Sequence, residues 1–267
     1  MSGRRTVVIT GSTRGIGLHM AAVFLKEGCD VTISGRSGKL PASAQDILGT
    51  FHTDRVHYIQ CDVTEKAQIE KLWQGSLDRW GRIDIWINNA GVNCSYEHIC
   101  ETDKCNIDNV IDTNIRGMIY GSQVAAAGMI KQGFGQIWNM EGLGSNGMIQ
   151  PKTVLYGTTK RALTYFTRGL AKELTGTGVL VGRLSPGMVL TDFITKDPQG
   201  DRSPVLDEKS FKRIFNILAD RPEVVAAFLV PRILKNNKND AHIVRLTNMS
   251  AIGRFITAPF IKRKLIQ

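Results

Sequence analysis

A glycine-rich octapeptide placed between an apolar run and a helical pattern constrains this chain more than any other feature. Val7-Val8-Ile9-Thr10 reads as a short buried strand, and from Gly15 to Glu27 apolar residues recur at Ile16, Met20, Val23 and Phe24 before Gly28 stops the helix. Thr10-Gly11-Ser12-Thr13-Arg14-Gly15-Ile16-Gly17 joins the two. Gly11 permits the sharp turn out of the strand. Gly15 lets backbone approach a phosphate where a β-carbon would clash, and Gly17 lets the helix pack closely. The helix N-terminus then offers unpaired N–H groups and a positive dipole end to a pyrophosphate. Gly11, Ser12, Thr13, Arg14, Gly15, Ile16 and Gly17 therefore form a candidate dinucleotide cradle.

The alternation begun there continues. Strand patterns recur at 31–34, 56–61, 83–87, 135–140, 179–184 and 242–247. Helical patterns fall at 40–48, 65–80, 106–131, 155–175, 209–218 and 222–234. Strands alternating with helices mean βαβ units, and right-handed crossovers then give a doubly wound parallel sheet with helices on both faces. The expected fold class is a single-domain α/β Rossmann-type structure. It spans residues 1–249, with a substrate loop over 193–234, followed by a basic and apolar tail over 250–267. The stretch 196–210, rich in Asp, Pro, Gly and Ser, reads as a mobile loop covering the substrate.

The 267 residues are 42% hydrophobic, enough to fill one such core, and no run of about 18 apolar residues suggests a transmembrane helix. No signal peptide is read at the N-terminus. Five cysteines, an odd number in a long chain, point to free thiols and a reducing cytoplasm. Cys94, His98, Cys100 and Cys105 match no zinc spacing, so no metal is expected. The net charge of +10 is scattered, with no interleaving of basic and aromatic residues, and no nucleic-acid partner is expected. The one concentrated stretch is the tail, where Arg254, Lys262, Arg263 and Lys264 mix with Phe and Ile. That mixture allows an interfacial membrane anchor, but packing on a partner subunit or over the cleft is the favoured reading.

The end of the second strand separates the two nicotinamide cofactors. An acidic residue there would hold the 2′-hydroxyl of NAD, but the sequence is Ser34-Gly35-Arg36-Ser37. Arg36 and Arg14 suit a 2′-phosphate, so NADPH/NADP+ is the expected cofactor. Asp62-Val63 closes the third strand, where Asp62 either accepts from the adenine amino group or caps the next helix. Tyr156 and Lys160 stand four apart on a helix and share a face. A lysine ammonium one turn away lowers the pKa of a phenol and fits it for proton transfer.

Taken in order, Thr10–Gly17, Asp62, Asn88-Asn89-Ala90-Gly91, Asn114, Tyr156 with Lys160, and Pro186-Gly187 resemble the classical short-chain dehydrogenase/reductase family over roughly residues 5–195. The resemblance implies that Tyr156 is the general acid in carbonyl reduction, Lys160 tunes it and binds the nicotinamide ribose, and Asn114 holds a water of the proton relay. It implies that Asn89, Ala90 and Gly91 line the cofactor cleft and that Pro186, Gly187, Val189 and Thr191 contact the nicotinamide end. The family also implies a homo-oligomer built through its long helices.

One position departs from that pattern. The family's usual serine, thirteen residues before the tyrosine, is Leu143 here, between Gly142 and Gly144. Ser145 is expected to take over its hold on the substrate carbonyl, with loss of the role, Glu141, or backbone N–H as the alternatives. The stretches Asn139–Ser145, Val154–Lys160, Leu184–Asp192, Pro222–Val225 and Leu229–Arg232 are similar to the chlorophyll(ide) b reductase-like subgroup. That implies NADPH-dependent reduction of a formyl group on a large hydrophobic molecule. Steroid, polyketide or acyl carbonyls, or a non-catalytic dinucleotide sensor, remain as alternatives.

Overall fold

The structure, a computed structural model, describes residues 3–51, 53–261 and 263–266. Seven strands form one sheet: β1 (Thr6–Ile9), β2 (Asp30–Gly35), β3 (Val56–Gln60), β4 (Ile85–Asn88), β5 (Gly135–Met140), β6 (Val179–Ser185) and β7 (Ala241–Val244). Their order is β3-β2-β1-β4-β5-β6-β7, and every neighbouring pair is parallel. A parallel sheet covered on both faces needs strands apolar on both sides, as the wholly buried β1 sequence Thr-Val-Val-Ile is. The chain reverses direction of travel between β1 and β4. Ligands bind at such a switch point, outside the carboxyl ends of the strands.

Two helical layers sandwich the sheet. On one face, α1 (Gly15–Lys26) packs through Leu18, Ala21 and Leu25 with Val225, Leu229 and Ile233 of a later helix, Pro222–Leu234. The same face carries α2 (Ala42–Leu48), and on the other lies α3 (Lys66–Trp80), whose Ile69, Leu72 and Trp73 meet Trp86, Ala125 and Met129.

The helix expected over 106–131 is divided. Lys104–Ile111 forms α4, Asp112–Arg116 a π turn, and Gly117–Gln132 forms α5. The widened turn places Asn114 within it. Then α6 runs over Val154–Glu173, α7 over Asp192–Thr195, α8 over Lys209–Leu218 and α9 over Pro222–Leu234. The 196–210 loop is not featureless: Pro204–Asp207 makes a 3-10 turn, and Lys196 bridges Arg202.

The strand expected over 242–247 ends at Val244, and a further helix, α10, spans Asn248–Thr257, with Thr247 as its cap. The division placed at 249/250 therefore falls inside a helix. Two of the tail's basic residues turn inward, while Met249, Ile252, Ile256 and Phe260 stay exposed. Arg254 and Arg263, with Arg245, surround the buried Asp220 at 2.8, 3.1 and 3.0 Å. Arg254 also donates to Leu218 O, and Arg263 to Ile217 O and Ala219 O. These carbonyls belong to the end of α8, where a helix lacks its own donors and favours cations. Lys262 lies outside the described residues, and Lys264 is exposed.

Candidate active site

The cradle closes on backbone geometry that a side chain would forbid. Gly11 has φ +59°, and a β-carbon there would stand 2.7 Å from the Ala90 Cα. At Gly17 it would meet the Asn89 amide at 2.5 Å, so the helix start rests directly on the strand β4 exit. Asn89 in turn donates to Thr10 O and Gly11 O. Arg14, the residue before α1, offers no side-chain cap, which leaves the first-turn N–H groups open to an anion. Ser12 faces away: its hydroxyl donates to Ile9 O at 2.7 Å and accepts from Ser34 N at 2.9 Å. Its N–H is committed as well, to Ser34 O at 2.8 Å, so Ser12 is buried behind the cradle and not part of the cleft lining.

A continuous cleft of about 1,820 Å³ is lined by Gly11, Thr13, Arg14, Gly15, Ile16, Arg36, Asp62, Val63, Asn89, Ala90 and Gly91. It continues past Ser145, Tyr156 and Lys160 to Pro186, Gly187, Val189 and Thr191. Arg36 is exposed at the end of β2 with no carboxylate beside it in sequence. Arg14 stands across the cleft from Asp192, 3.9 Å away. Asp62 accepts from the N–H and hydroxyl of Thr64, a turn rather than a helix cap, since α3 starts only at Lys66. These features fit a dinucleotide carrying a 2′-phosphate.

The catalytic side is held by a buried polar layer. Trp86 donates to Asn88, Asn88 donates to Ser122 and Asn139, and Asn139 donates to Thr167. This chain locks β4 and β5 to α5 and α6, and so sets the height of Tyr156. Asn114 Nδ2 donates to Val92 O and Oδ1 accepts from Val92 N, both at 2.9 Å, and a further bond reaches Thr159. Tyr156 and Lys160 are both buried. Lys160 Nζ donates to Met140 O at 3.0 Å and lies 5.6 Å from the centre of the Tyr156 ring. Phe193 meets that ring edge-on at 5.4 Å.

Burial pushes the Tyr156 phenol above its usual range, with Cys94 adding to the rise. The phenol is thus not lowered as the Lys160 spacing predicts, and the ammonium is bonded to the Met140 carbonyl. Burial also pulls Lys160 down to about 8, against the opposing pull of Glu141.

Gly142 occupies the place opposite the phenol. A β-carbon there would lie 2.3 Å from Tyr156 Oη. Ser145, the residue expected to hold the substrate carbonyl, has its hydroxyl committed to backbone, accepting from Gly142 N and donating to Lys160 O. It fastens the loop to α6. Glu141 is no carbonyl donor either. Burial raises its pKa, but bonds from His242, Ser185 and Thr164 and the charge of His242 outweigh that and hold it at about 2, leaving no proton to give. Sequence reasoning missed Ser185, His242 and Arg183 around this carboxylate, because nothing local marks residues that meet across three strands.

The model of the short chain dehydrogenase family matches residues 5–202. The chain belongs to that family. It is thereby an oxidoreductase. Chlorophyll(ide) b reductase NOL of Oryza sativa subsp. japonica is 38% identical over 261 residues, covering 94% of this chain and 74% of the relative. A probable chlorophyll(ide) b reductase NYC1 of Arabidopsis thaliana is 35% identical, covering 87% of this chain but 48% of that longer protein. Among solved structures, ElxO with NADP bound superimposes with a TM-score of 0.78 at 26% identity, covering 91% of this chain and 97% of ElxO.

Proposed function

We propose that this chain is an NADPH-dependent carbonyl reductase that reduces a formyl group on a large hydrophobic substrate. The observation that carries the reading is the cleft. Ligand pockets are commonly about 300–1,000 Å³, so a cleft of about 1,820 Å³ has room for a dinucleotide and a bulky second molecule together. Its lining includes the apolar side chains Leu143, Met148, Met188, Phe193, Phe211 and Leu246, set among polar ones such as Asn93, Gln150 and Glu208. The similarity to plant chlorophyll(ide) b reductases supports a formyl group as the reacting carbonyl.

Bound NADPH supplies the hydride. Arg36 and Arg14 would hold the 2′-phosphate, and the open first turn of α1 would hold the pyrophosphate. Tyr156 Oη gives its proton to the carbonyl oxygen as charge develops there. Lys160 keeps positive charge beside the phenol, and Asn114 fixes the wide turn behind it. Phe193 and the 192–207 segment keep water from the reacting carbonyl.

The outward sides of α5 and α6 expose Ile130, Val154 and Tyr165, which supports a homo-oligomer joined through these helices. The five free cysteines support a reducing, cytoplasmic setting.

The test is NADPH oxidation against aldehydes and ketones that include a formyl-bearing chlorin, wild type beside Tyr156→Phe. Turnover of the chlorin that Tyr156→Phe loses supports the reading. Equal efficiency with NADH, or reduction of none of the carbonyls, overturns it.

A further inference from the structure

Glu141 is the most deeply buried carboxylate beside the catalytic pair, its side chain 3% exposed, and the reduction chemistry above gives it no step. It follows β5 directly, and its N–H makes the last bond of the ladder, to Leu184 O at 2.8 Å. An isolated buried carboxylate is costly, so its partners show what keeps it there. Oε1 accepts from Thr164 on α6 at 3.0 Å and lies 3.7 Å from the Arg183 guanidinium on β6. Oε2 accepts from Ser185 at the end of β6 and meets His242 Nε2 on β7 at 2.8 Å. Donors thus arrive at both oxygens from three separate elements. A carboxamide has one acceptor oxygen and cannot satisfy that set.

The residue after it, Gly142, is in contact with both catalytic side chains. Its β-carbon, were there one, would stand 2.3 Å from Tyr156 Oη and 3.3 Å from Lys160 Cγ. The loop that follows is packed backbone to backbone on α6: at Gly144, with φ +96°, a β-carbon would lie 2.6 Å from Gly157 Cα. Lys160 Nζ donates to the carbonyl of Met140, the residue before Glu141.

We propose that Glu141 is a positioning residue of the active site, clamping the Gly142–Ser145 loop against Tyr156 and supplying the counter-charge of the buried Lys160 ammonium. This rests on the reading of Tyr156 and Lys160 as the proton-delivery pair. The charged and titratable groups around the two include Tyr156 on α6, Arg161 on α6, which donates to Ser145 O at 3.0 Å, Cys94 after β4, Arg183 on β6 and His242 on β7, with Asp240 pairing Arg183 at 3.4 Å farther out. Beside these, Glu141 brings a negative charge one residue from Met140, whose carbonyl accepts from Lys160 Nζ at 3.0 Å, and that charge opposes the desolvation of the ammonium. Without it, the ammonium would shed its proton at lower pH.

The test reads Lys160 directly. Lysine carrying 13C at Cε is titrated by NMR in the full chain, with the Lys160 signal assigned by its loss in Lys160→Met. Glu141→Gln is expected to lower the Lys160 midpoint by about 1 pH unit or more, and to move the alkaline limb of kcat down with it. An unchanged midpoint in folded Glu141→Gln overturns the charge role. Glu141→Asp keeps the charge but shortens the reach to Ser185, His242 and Thr164. It is expected to hold the midpoint while raising KM for the carbonyl substrate several-fold with kcat little changed. A wild-type KM in Glu141→Asp overturns the clamp, and this variant carries the test should Glu141→Gln not fold. The NMR midpoint is read without substrate, so a chain that reduces no carbonyl overturns the proposed function and leaves this measurement standing.

Discussion

The amide of Gly142 donates to the hydroxyl of Ser145 at 3.2 Å, and that hydroxyl donates to the carbonyl of Lys160 at 3.3 Å. The loop facing the phenol is thereby tied to the helix that carries it. Ser145→Ala leaves the Gly142 N–H without its partner, which costs about 1–3 kcal/mol when the group is buried. The expected result is a lower thermal midpoint with turnover reduced far less than in Tyr156→Phe. Loss of turnover as deep as in Tyr156→Phe would return Ser145 to the chemistry.

Glu141 makes the protein sensitive to acid. Its pKa is held near 2 in the fold, below its value of 4.5 when free. A depressed carboxylate contributes stability that is complete above the free value and is lost as pH falls from 4.5 towards 2. The shift corresponds to roughly 3 kcal/mol. Denaturation measured across that window should show a steep loss in wild type and a flatter one in Glu141→Gln. Parallel curves for the two would contradict the assignment.

Lys160 sets the opposite limit. With its pKa at about 8, the ammonium is present at neutral pH and disappears as pH rises through that value. The rate of carbonyl reduction should therefore decline above about pH 8. A rate that stays level to pH 10 would show that the proton stays on Lys160 or is not needed.

Arg36 is exposed at the end of β2, where the cleft begins. Arg36→Ala removes a charge-assisted bond worth about 1.5–3 kcal/mol. The Michaelis constant for NADPH is expected to rise about tenfold to a hundredfold, with that for NADH little changed. An equal rise for both cofactors would mean that Arg36 acts on something other than the 2′-phosphate.

Asp220 gathers Arg245, Arg254 and Arg263 and bonds through its backbone to Met188 and Leu190. Removing one partner of a buried ion cluster costs about 3–5 kcal/mol. Asp220→Ala should release the C-terminal segment, seen as faster proteolysis within residues 250–266. A cleavage pattern like that of wild type would show that the arginine bonds to α8 carbonyls suffice.

Local chemistry carried much of this into the sequence. The Gly11 turn, the strand that precedes it and the Tyr156–Lys160 face each depend on residues within one or two turns of chain. The π turn at Asn114 does not, since one extra residue per turn leaves the same apolar spacing on either side. Ser145 was legible as a hydroxyl near the site, but not its orientation, which the Lys160 carbonyl decides. The clamp on Glu141 joins His242 across 101 residues, and Asp220 draws its arginines from beyond β7. Such pairs are set by which strands lie side by side, and periodicity along one element holds no record of that.

The glycine opposite Tyr156 shifts a burden onto the substrate. Position 142 brings no hydroxyl to a carbonyl placed against the phenol, so in the proposed reduction polarisation of the C=O would rest chiefly on Tyr156. Where the protein pulls less on the oxygen, the carbon must be more electron-poor at the outset. If the proposed reduction holds, electron-poor aldehydes are expected to be reduced faster than hindered dialkyl ketones, so intrinsic electrophilicity would act as a filter alongside shape.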